Sequence, residues 1–256
     1  MIHPTALIGH DVEISESATI GPFCVIGDHV RIGDYTTLSA SIQVGDRTTI
    51  GKNNKIYPFC CIGFPPQDVK YHGEPTETII GDDNLIRENS TIHRGTTTGR
   101  EKTVTGSGNF LMAYSHIAHD CQVGDNNIFV NAATLGGHVT VGNHVYIGAY
   151  SGVHQFCRIG DHAFIGGYSV ITRDALPFVK TVGNRAKTYD INTMGLERKG
   201  FRPEVVTALK KAYRILLRRQ LQLAEALNEM RKEFPRIDEV QYFADFIEHS
   251  ERGICR

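Results

Sequence analysis

Aliphatic side chains recur at every sixth position along most of the chain. Ile2, Ile8, Ile14, Ile20, Ile26, Ile32, Leu38, Val44, Ile50, Ile56 and Ile62 form an unbroken run of eleven, and the phase resumes at Ile80, Ile86 and Ile92. After a slip of one position it runs from Thr105 through Leu111, Ile117, Val123, Phe129, Leu135, Val141, Ile147, Val153, Ile159 and Ile165 to Ile171, Thr105 being the one polar member. Fifteen of these 26 positions are followed directly by glycine although only 26 of the 256 residues are glycine, so the aliphatic and small-residue signals are locked together. A period of six fits neither an amphipathic helix nor an alternating strand. It fits a parallel β-helix in which each sixth residue points inward and a small residue allows the corner, three hexapeptides (about 18 residues) closing one triangular coil. Stacked coils bury a continuous aliphatic column and pair each short strand with those above and below. The period leaves the hand of the coil open, right-handed crossovers being the general expectation.

Two stretches break the repeat. Residues 64–78 carry Pro65-Pro66 and Gly73-Glu74-Pro75, and residues 94–104 are rich in Thr and Gly. Both read as loops thrown out from the coil, a place where solenoids build binding surfaces. The period stops at Ile171, and the chain divides into a β-helix domain over 1–176, a connector over 177–202 and a helical domain over 203–256. Pro203 suits a first helical turn, with Val205, Leu209, Ala212 and Leu216 at helical spacing behind it. Leu223, Leu227, Met230 and Phe234, closed by Pro235, give a second helix, and Val240, Phe243 and Ile247 a third. The expected class is mainly β with an α C-terminal domain.

Stacking also predicts neighbours in space, because residues one coil apart lie about 4.8 Å from each other. His119, Gly137 and Gln155 form one column, Asp120, His138 and Phe156 the next, with His116 and His154 on the same side. A lone histidine on a coil is ordinarily a solvated polar residue; four with a carboxylate on one corner of successive coils are harder to dismiss. A neutral imidazole placed there takes a proton from a hydroxyl, Asp120 fits the group that holds its tautomer, and the Gly137 N–H fits an oxyanion donor.

Charge and composition narrow the picture. A net charge of -1 and a pI near 6.9 give no global pull toward nucleic acid or membrane. The chain starts without a basic segment leading an apolar one, and no apolar run reaches bilayer length, so the cytoplasm is the default compartment. Six cysteines without CxxC spacing read as free thiols filling small core sites. The charge is local instead: Arg198, Lys199, Arg202, Lys210, Lys211, Arg214, Arg218 and Arg219 face one acidic residue, Glu204.

HIAHD at His116 to Asp120, GGHV at Gly136 to Val139, VHQFC at Val153 to Cys157, PQDVKYHGEPT at Pro66 to Thr76, IHRGT at Ile92 to Thr96 and GLERKGF at Gly195 to Phe201 occur in this order. Taken together, the chain resembles the UDP-N-acetylglucosamine O-acyltransferases of the hexapeptide-repeat acyltransferase family over nearly its whole length. The resemblance implies a left-handed β-helix homotrimer with the active site between subunits. The implied reaction moves a 3-hydroxyacyl chain from acyl carrier protein to the 3-hydroxyl of UDP-N-acetylglucosamine, the first step of lipid A synthesis. No metal or free cofactor is implied, phosphopantetheine arriving on the carrier protein. By the family's pattern His119 corresponds to the general base, Asp120 to its supporting carboxylate and the Gly137 amide to the oxyanion donor. Asp68, Lys70, His116, His138 and His154 match residues lining the sugar, acyl and phosphate sites. Gln155, Asn192 and Arg198 match positions that hold the nucleotide, and Gly167 falls at the acyl-length stop, where glycine leaves room for a longer chain. Lys199 stands where a second arginine is common, Met194 replaces a usual acidic residue and Arg185 a usual histidine. A lysine still attracts phosphate but loses the bidentate fork. The basic stretch from Arg198 to Arg219 would dock the acidic carrier protein.

Three alternatives stand beside this one. A sister N-acyltransferase shares the repeat and donor but normally carries an N-terminal uridine-binding domain, and here the repeat begins at Ile2; an amide product would also follow if the acceptor were a 3-amino sugar nucleotide. A zinc enzyme resembling γ-type carbonic anhydrases would use His116, His119 and His138 as ligands, leaving the helical tail and GLERKGF unexplained. A non-enzymatic scaffold needs only the bare coil, against which the clustered histidines speak.

Overall fold

Most hexapeptides contribute one two-residue strand whose second member is the aliphatic of the repeat, as in His116–Ile117, Gln122–Val123 and Ile128–Phe129. The computed structural model describes residues 1–218 and 221–256. Within it the strands form sheets of nine, eight and ten strands, parallel except for one antiparallel pair at the end of the ten-stranded sheet, and these are the three faces of a left-handed parallel β-helix. We call the face holding His116–Ile117 the first, that holding Gln122–Val123 the second and that holding Ile128–Phe129 the third.

Strands pair one coil apart, His116 with Thr134 and Thr134 with Gly152. Across the two inserted loops the register lengthens, so that Thr49 pairs with Ile79 and Ile79 with Val104. The repeat aliphatics from Ile20 to Ile171 pack into one buried column, with Phe129 its largest fully buried side chain. The first coil departs from the expectation that every sixth residue is interior: Ile2 and Ile8 are 47% and 39% exposed because no coil lies below them. Five of the six cysteines are buried and Cys61 is half-buried, all as free thiols.

The corners turn differently from the way the glycine pattern suggests. The left-handed backbone falls on Asp120, Asn126, Ala132 and His138, with φ of 60°, 58°, 58° and 62°, and, Gly63 (φ 73°) apart, not on the glycines that follow the aliphatics. Those glycines are small because coils stack on them: a Cβ on Gly27 would sit 2.7 Å from the Asp46 nitrogen. Asn, Asp and His tolerate the left-handed well better than most residues, which suits three of the four corner positions named here to polar side chains.

In the 177–202 stretch, where the period gives no element, Val179–Val182 and Lys187–Ile191 form an antiparallel pair that extends the third face. Helix α1 (Thr193–Arg198) follows, then α2 (Pro203–Arg218), α3 (Leu223–Glu233) and α4 (Asp238–Glu248). Leu196, Leu209, Met230 and Phe243, one from each helix, meet in a second core. The tail then returns to the coil, where Ile254 bridges Asp174. Among the described residues no helix is long and apolar enough to cross a membrane.

Candidate active site

The corner between the first and second faces brings His119 against Asp120. Nδ1 of the imidazole lies 2.8 Å from Asp120 Oδ2; the histidine side chain is 13% exposed and the carboxylate fully buried. The second inserted loop closes over that carboxylate. Thr96 donates its N–H to both oxygens at 3.1 and 3.2 Å and its hydroxyl to Oδ2 at 2.7 Å, while the Arg100 N–H reaches Oδ1 at 2.7 Å. Burial raises the Asp120 pKa, but the hydrogen bonds from His119, Thr96 and Arg100 outweigh it and hold the group at about 2. An ionised Asp120 fixes Nδ1 of His119 as the donor and leaves Nε2 as the acceptor, the form a general base needs.

Gly137 lies one coil further along. A Cβ there would stand 2.6 Å from both Cε1 and Nε2 of His119, so the absence of a side chain is what makes room for the ring. In the first coils the residue at this level donates its N–H to an aspartate one coil on, His10 to Asp28 at 2.7 Å and Asp28 to Asp46 at 2.9 Å. At the candidate site that column reads His119, Gly137 and Gln155, and among the described residues the N–H of the buried Gly137 meets no protein acceptor. An unpaired amide beside an imidazole is where an oxyanion gains most.

His138 lies edge-on to His119, with ring centroids 5.1 Å apart, and stacks on Phe156 at 4.4 Å. Its Nε2 is 3.8 Å from Asp120 Oδ2. Burial lowers its pKa; Asp120 and Asp68 act in the opposite direction, which places the first inserted loop within electrostatic reach of the corner. In that loop Asp68 accepts the Lys70 N–H at 3.0 Å and Lys70 is exposed. His116 turns away from the column: its Nδ1 lies 2.7 Å from Thr91 Oγ1 and its ring meets His93 edge-on at 4.8 Å. Burial lowers the pKa of both, His93 to about 4. His154 and Gln155 are exposed further along the corner, and no hydrogen bond or ring contact joins His154 to His116 among the described residues.

The remaining candidates sit elsewhere on the prism. Asn192, Arg198 and Lys199 line a cleft of about 550 Å³ on the third face, together with His144, His162 and Met194. Asn192 donates Nδ2 to the His162 carbonyl at 3.2 Å, and Lys199 helps to lower the pKa of His162, second to burial and the neighbouring His144. Gly167 is exposed on the corner between the third and first faces, and Arg185 is exposed in the hairpin turn. One chain therefore brings together His119, Asp120, Gly137 and His138 but separates them from Asn192, Arg198, Lys199 and Gly167. In the basic stretch Lys211 and Arg214 are exposed and Arg202 pairs with Glu204 at 3.3 Å; Arg219 lies outside the described residues.

Among the described residues one trio has its possible ligand atoms within 4.8 Å of one another, namely His119, Asp120 and His138. His116 does not join it, which breaks the ligand set of the zinc alternative, and the carboxylate is already taken up by His119, Thr96 and Arg100. Sequence reasoning missed His93, Thr96 and Arg100. The first two stand in the quoted IHRGT segment, but counting by coils fails across an inserted loop.

A family model described as UDP N-acetylglucosamine O-acyltransferase, domain 2, matches residues 174–255, and the bacterial transferase hexapeptide model matches 2–40, 102–137 and 138–173. A protein of Thermodesulfovibrio yellowstonii, named as the O-acyltransferase acting between acyl carrier protein and UDP-N-acetylglucosamine, is 51% identical over 255 residues, covering 100% of this chain and 99% of its own. The solved UDP-N-acetylglucosamine O-acyltransferase of Moraxella catarrhalis superposes with a TM-score of 0.98 at 46% identity, covering 100% of this chain and 99% of its own. That of Acinetobacter baumannii gives 0.97 at 43% identity, with the same coverage.

Proposed function

Because the chain belongs to the UDP-N-acetylglucosamine O-acyltransferase family, we propose that its His119–Asp120 pair moves a 3-hydroxyacyl chain from acyl carrier protein to the 3-hydroxyl of UDP-N-acetylglucosamine. Nε2 of His119 takes the hydroxyl proton as the sugar oxygen attacks the thioester carbonyl, and Asp120 stabilises the imidazolium that forms. The Gly137 N–H receives the oxyanion. Collapse breaks the carbon–sulfur bond, and His119 returns its proton to the departing thiolate, so the enzyme ends as it began. The reaction starts lipid A synthesis, in the cytoplasm, and calls on no metal or cofactor beyond the carrier's phosphopantetheine.

The observation that carries this reading is one corner holding a base, its orienting carboxylate and an unpaired amide. The separation of that corner from the cleft of Asn192, Arg198 and Lys199 favours a homotrimer in which neighbouring protomers complete each other's sites. Gln155 would join the nucleotide residues across such a groove. Asp68, Lys70, His116, His138 and His154 would line the sugar, acyl and phosphate positions and Gly167 would bound the acyl chain. Lys210, Lys211 and Arg214 would steer the acidic carrier. The test is a panel of carrier-protein thioesters offered with the 3-hydroxy and the 3-amino sugar nucleotide, the products read by mass spectrometry. An ester of the hydroxy acceptor supports the reading; an amide alone, or no transfer, overturns it.

A further inference from the structure

Beside the catalytic corner, on the second face, is a cavity of about 230 Å³ whose lining includes Arg100, Arg158 and Arg252 as well as His138 and Phe156. The last two also belong to the His119 corner, so the cavity opens from it. Each of the first two guanidinium groups is held by neutral oxygens. Arg100 donates to the Asp120 carbonyl at 2.7 Å and to Thr140 Oγ1 at 3.2 Å. Arg158 donates to the His249 carbonyl at 2.9 Å while lying over the Phe246 ring, 4.2 Å from its centroid. Such contacts orient a guanidinium without neutralising it. Two carboxylates also line the cavity, Asp174 and the exposed Glu251. Asp174 is spent on the Arg158 N–H at 2.8 Å and the Ser250 hydroxyl at 2.7 Å. Among the described residues neither carboxylate lies within 4.0 Å of the guanidinium nitrogens of Arg100, Arg158 or Arg252.

Three arginines thus line one small cavity with no carboxylate paired to their guanidinium groups, Arg252 having the Cys157 thiol as its hydrogen-bond partner, and planar forks of this kind suit phosphate oxygens. We propose that this cavity is a phosphate subsite of the acyl-transfer reaction, formed by Arg158 and Arg252 with Arg100 at its inner edge. The proposal rests on the acyltransferase reading for the source of the phosphate, which is either the phosphodiester of the carrier's arm or the diphosphate of the sugar nucleotide. It places an anionic part of one substrate in a cavity that shares His138 with the catalytic corner.

The test uses Arg158→Gln, Arg252→Gln and the double variant of the full chain. Binding of inorganic phosphate and pyrophosphate is followed by calorimetry, independently of turnover. Each single variant is expected to weaken anion binding about tenfold, the lower range for one charge-assisted hydrogen bond. In steady-state assays the KM for one substrate rises by a similar factor at nearly constant kcat: the acyl carrier thioester if the arm is held, the sugar nucleotide if the diphosphate is. Unchanged anion binding and unchanged KM for both substrates would overturn the subsite while leaving the catalytic assignment intact. A double variant that binds phosphate normally but falls apart as an assembly would overturn it too, since the arginines would then be pairing with a second copy of the chain. An inactive wild type that still binds phosphate through these arginines would instead refute the acyltransferase reading.

Discussion

Replacing Gly137 by alanine adds one methyl group where the geometry is tightest. The new Cβ would stand 2.6 Å from His119 Cε1 and Nε2. An ordinary contact needs about 3.5 Å, so the ring must retreat by nearly 1 Å. It is not free to do so, because Nδ1 is tied to the buried Asp120 at 2.8 Å and that carboxylate is tied to Thr96 and Arg100. A displacement of that size at a reacting group costs about 10²-fold in rate. The backbone tolerates the change: Gly137 is not left-handed, and His119 and Gln155 carry side chains at the same level of adjacent coils. Stability should therefore move by no more than about 1–2 kcal/mol. Turnover of purified Gly137→Ala with the acyl carrier thioester, set beside its thermal midpoint, checks both halves. A variant within about threefold of the parent rate, with the imidazole unmoved in a crystal structure, would refute the idea that Gly137 exists to seat that ring.

Asp120→Asn should lower kcat by about 10²- to 10³-fold and destabilise the fold by about 1–3 kcal/mol, since an amide presents a donor where Thr96 and Arg100 already donate; kinetics and denaturant titration measure the two separately. The pH dependence of stability should carry the mark of His93, buried and depressed from 6.5 to about 4. Its lowered pKa means that the unfolded chain takes up the proton first, so its contribution is complete above 6.5 and is lost as the pH falls toward 4. Full titration across that window amounts to about 3 kcal/mol, and His93→Gln should flatten the acid limb of a plot of thermal midpoint against pH. Asp120, held at about 2 against an ordinary 3.8, withdraws its stabilisation only between those values. Gly167→Met should shift donor preference toward shorter acyl chains with little loss of stability, because a Cβ at Gly167 meets only the Ala149 backbone, at 3.3 Å and beyond; a competition assay between thioesters of different length decides it.

The coil was legible in the sequence because its cause is local: one aliphatic in six must point inward, and each repeat says so independently. The His119, Gly137 and Asp120, His138 columns followed from counting, since these coils stack without insertions. The same counting could not reach His93, Thr96 or Arg100, which come to the corner through loops that lengthen the register, so the lid over Asp120 was invisible although its residues were in view. The hairpin at Val179–Val182 and Lys187–Ile191 carries no period and is fixed by pairing with the last strands of the third face. The corner conformation at Asp120 and His138 is imposed by stacking on both sides, against the local preference for glycine.

The central claim is that one imidazole performs the proton transfer. It is tested most directly by the turnover of His119→Ala on the acyl carrier thioester and UDP-N-acetylglucosamine, in protein whose thermal midpoint matches the parent. The account predicts a loss of about 10²- to 10⁴-fold, the full worth of a positioned base. Turnover at the parent rate would contradict it.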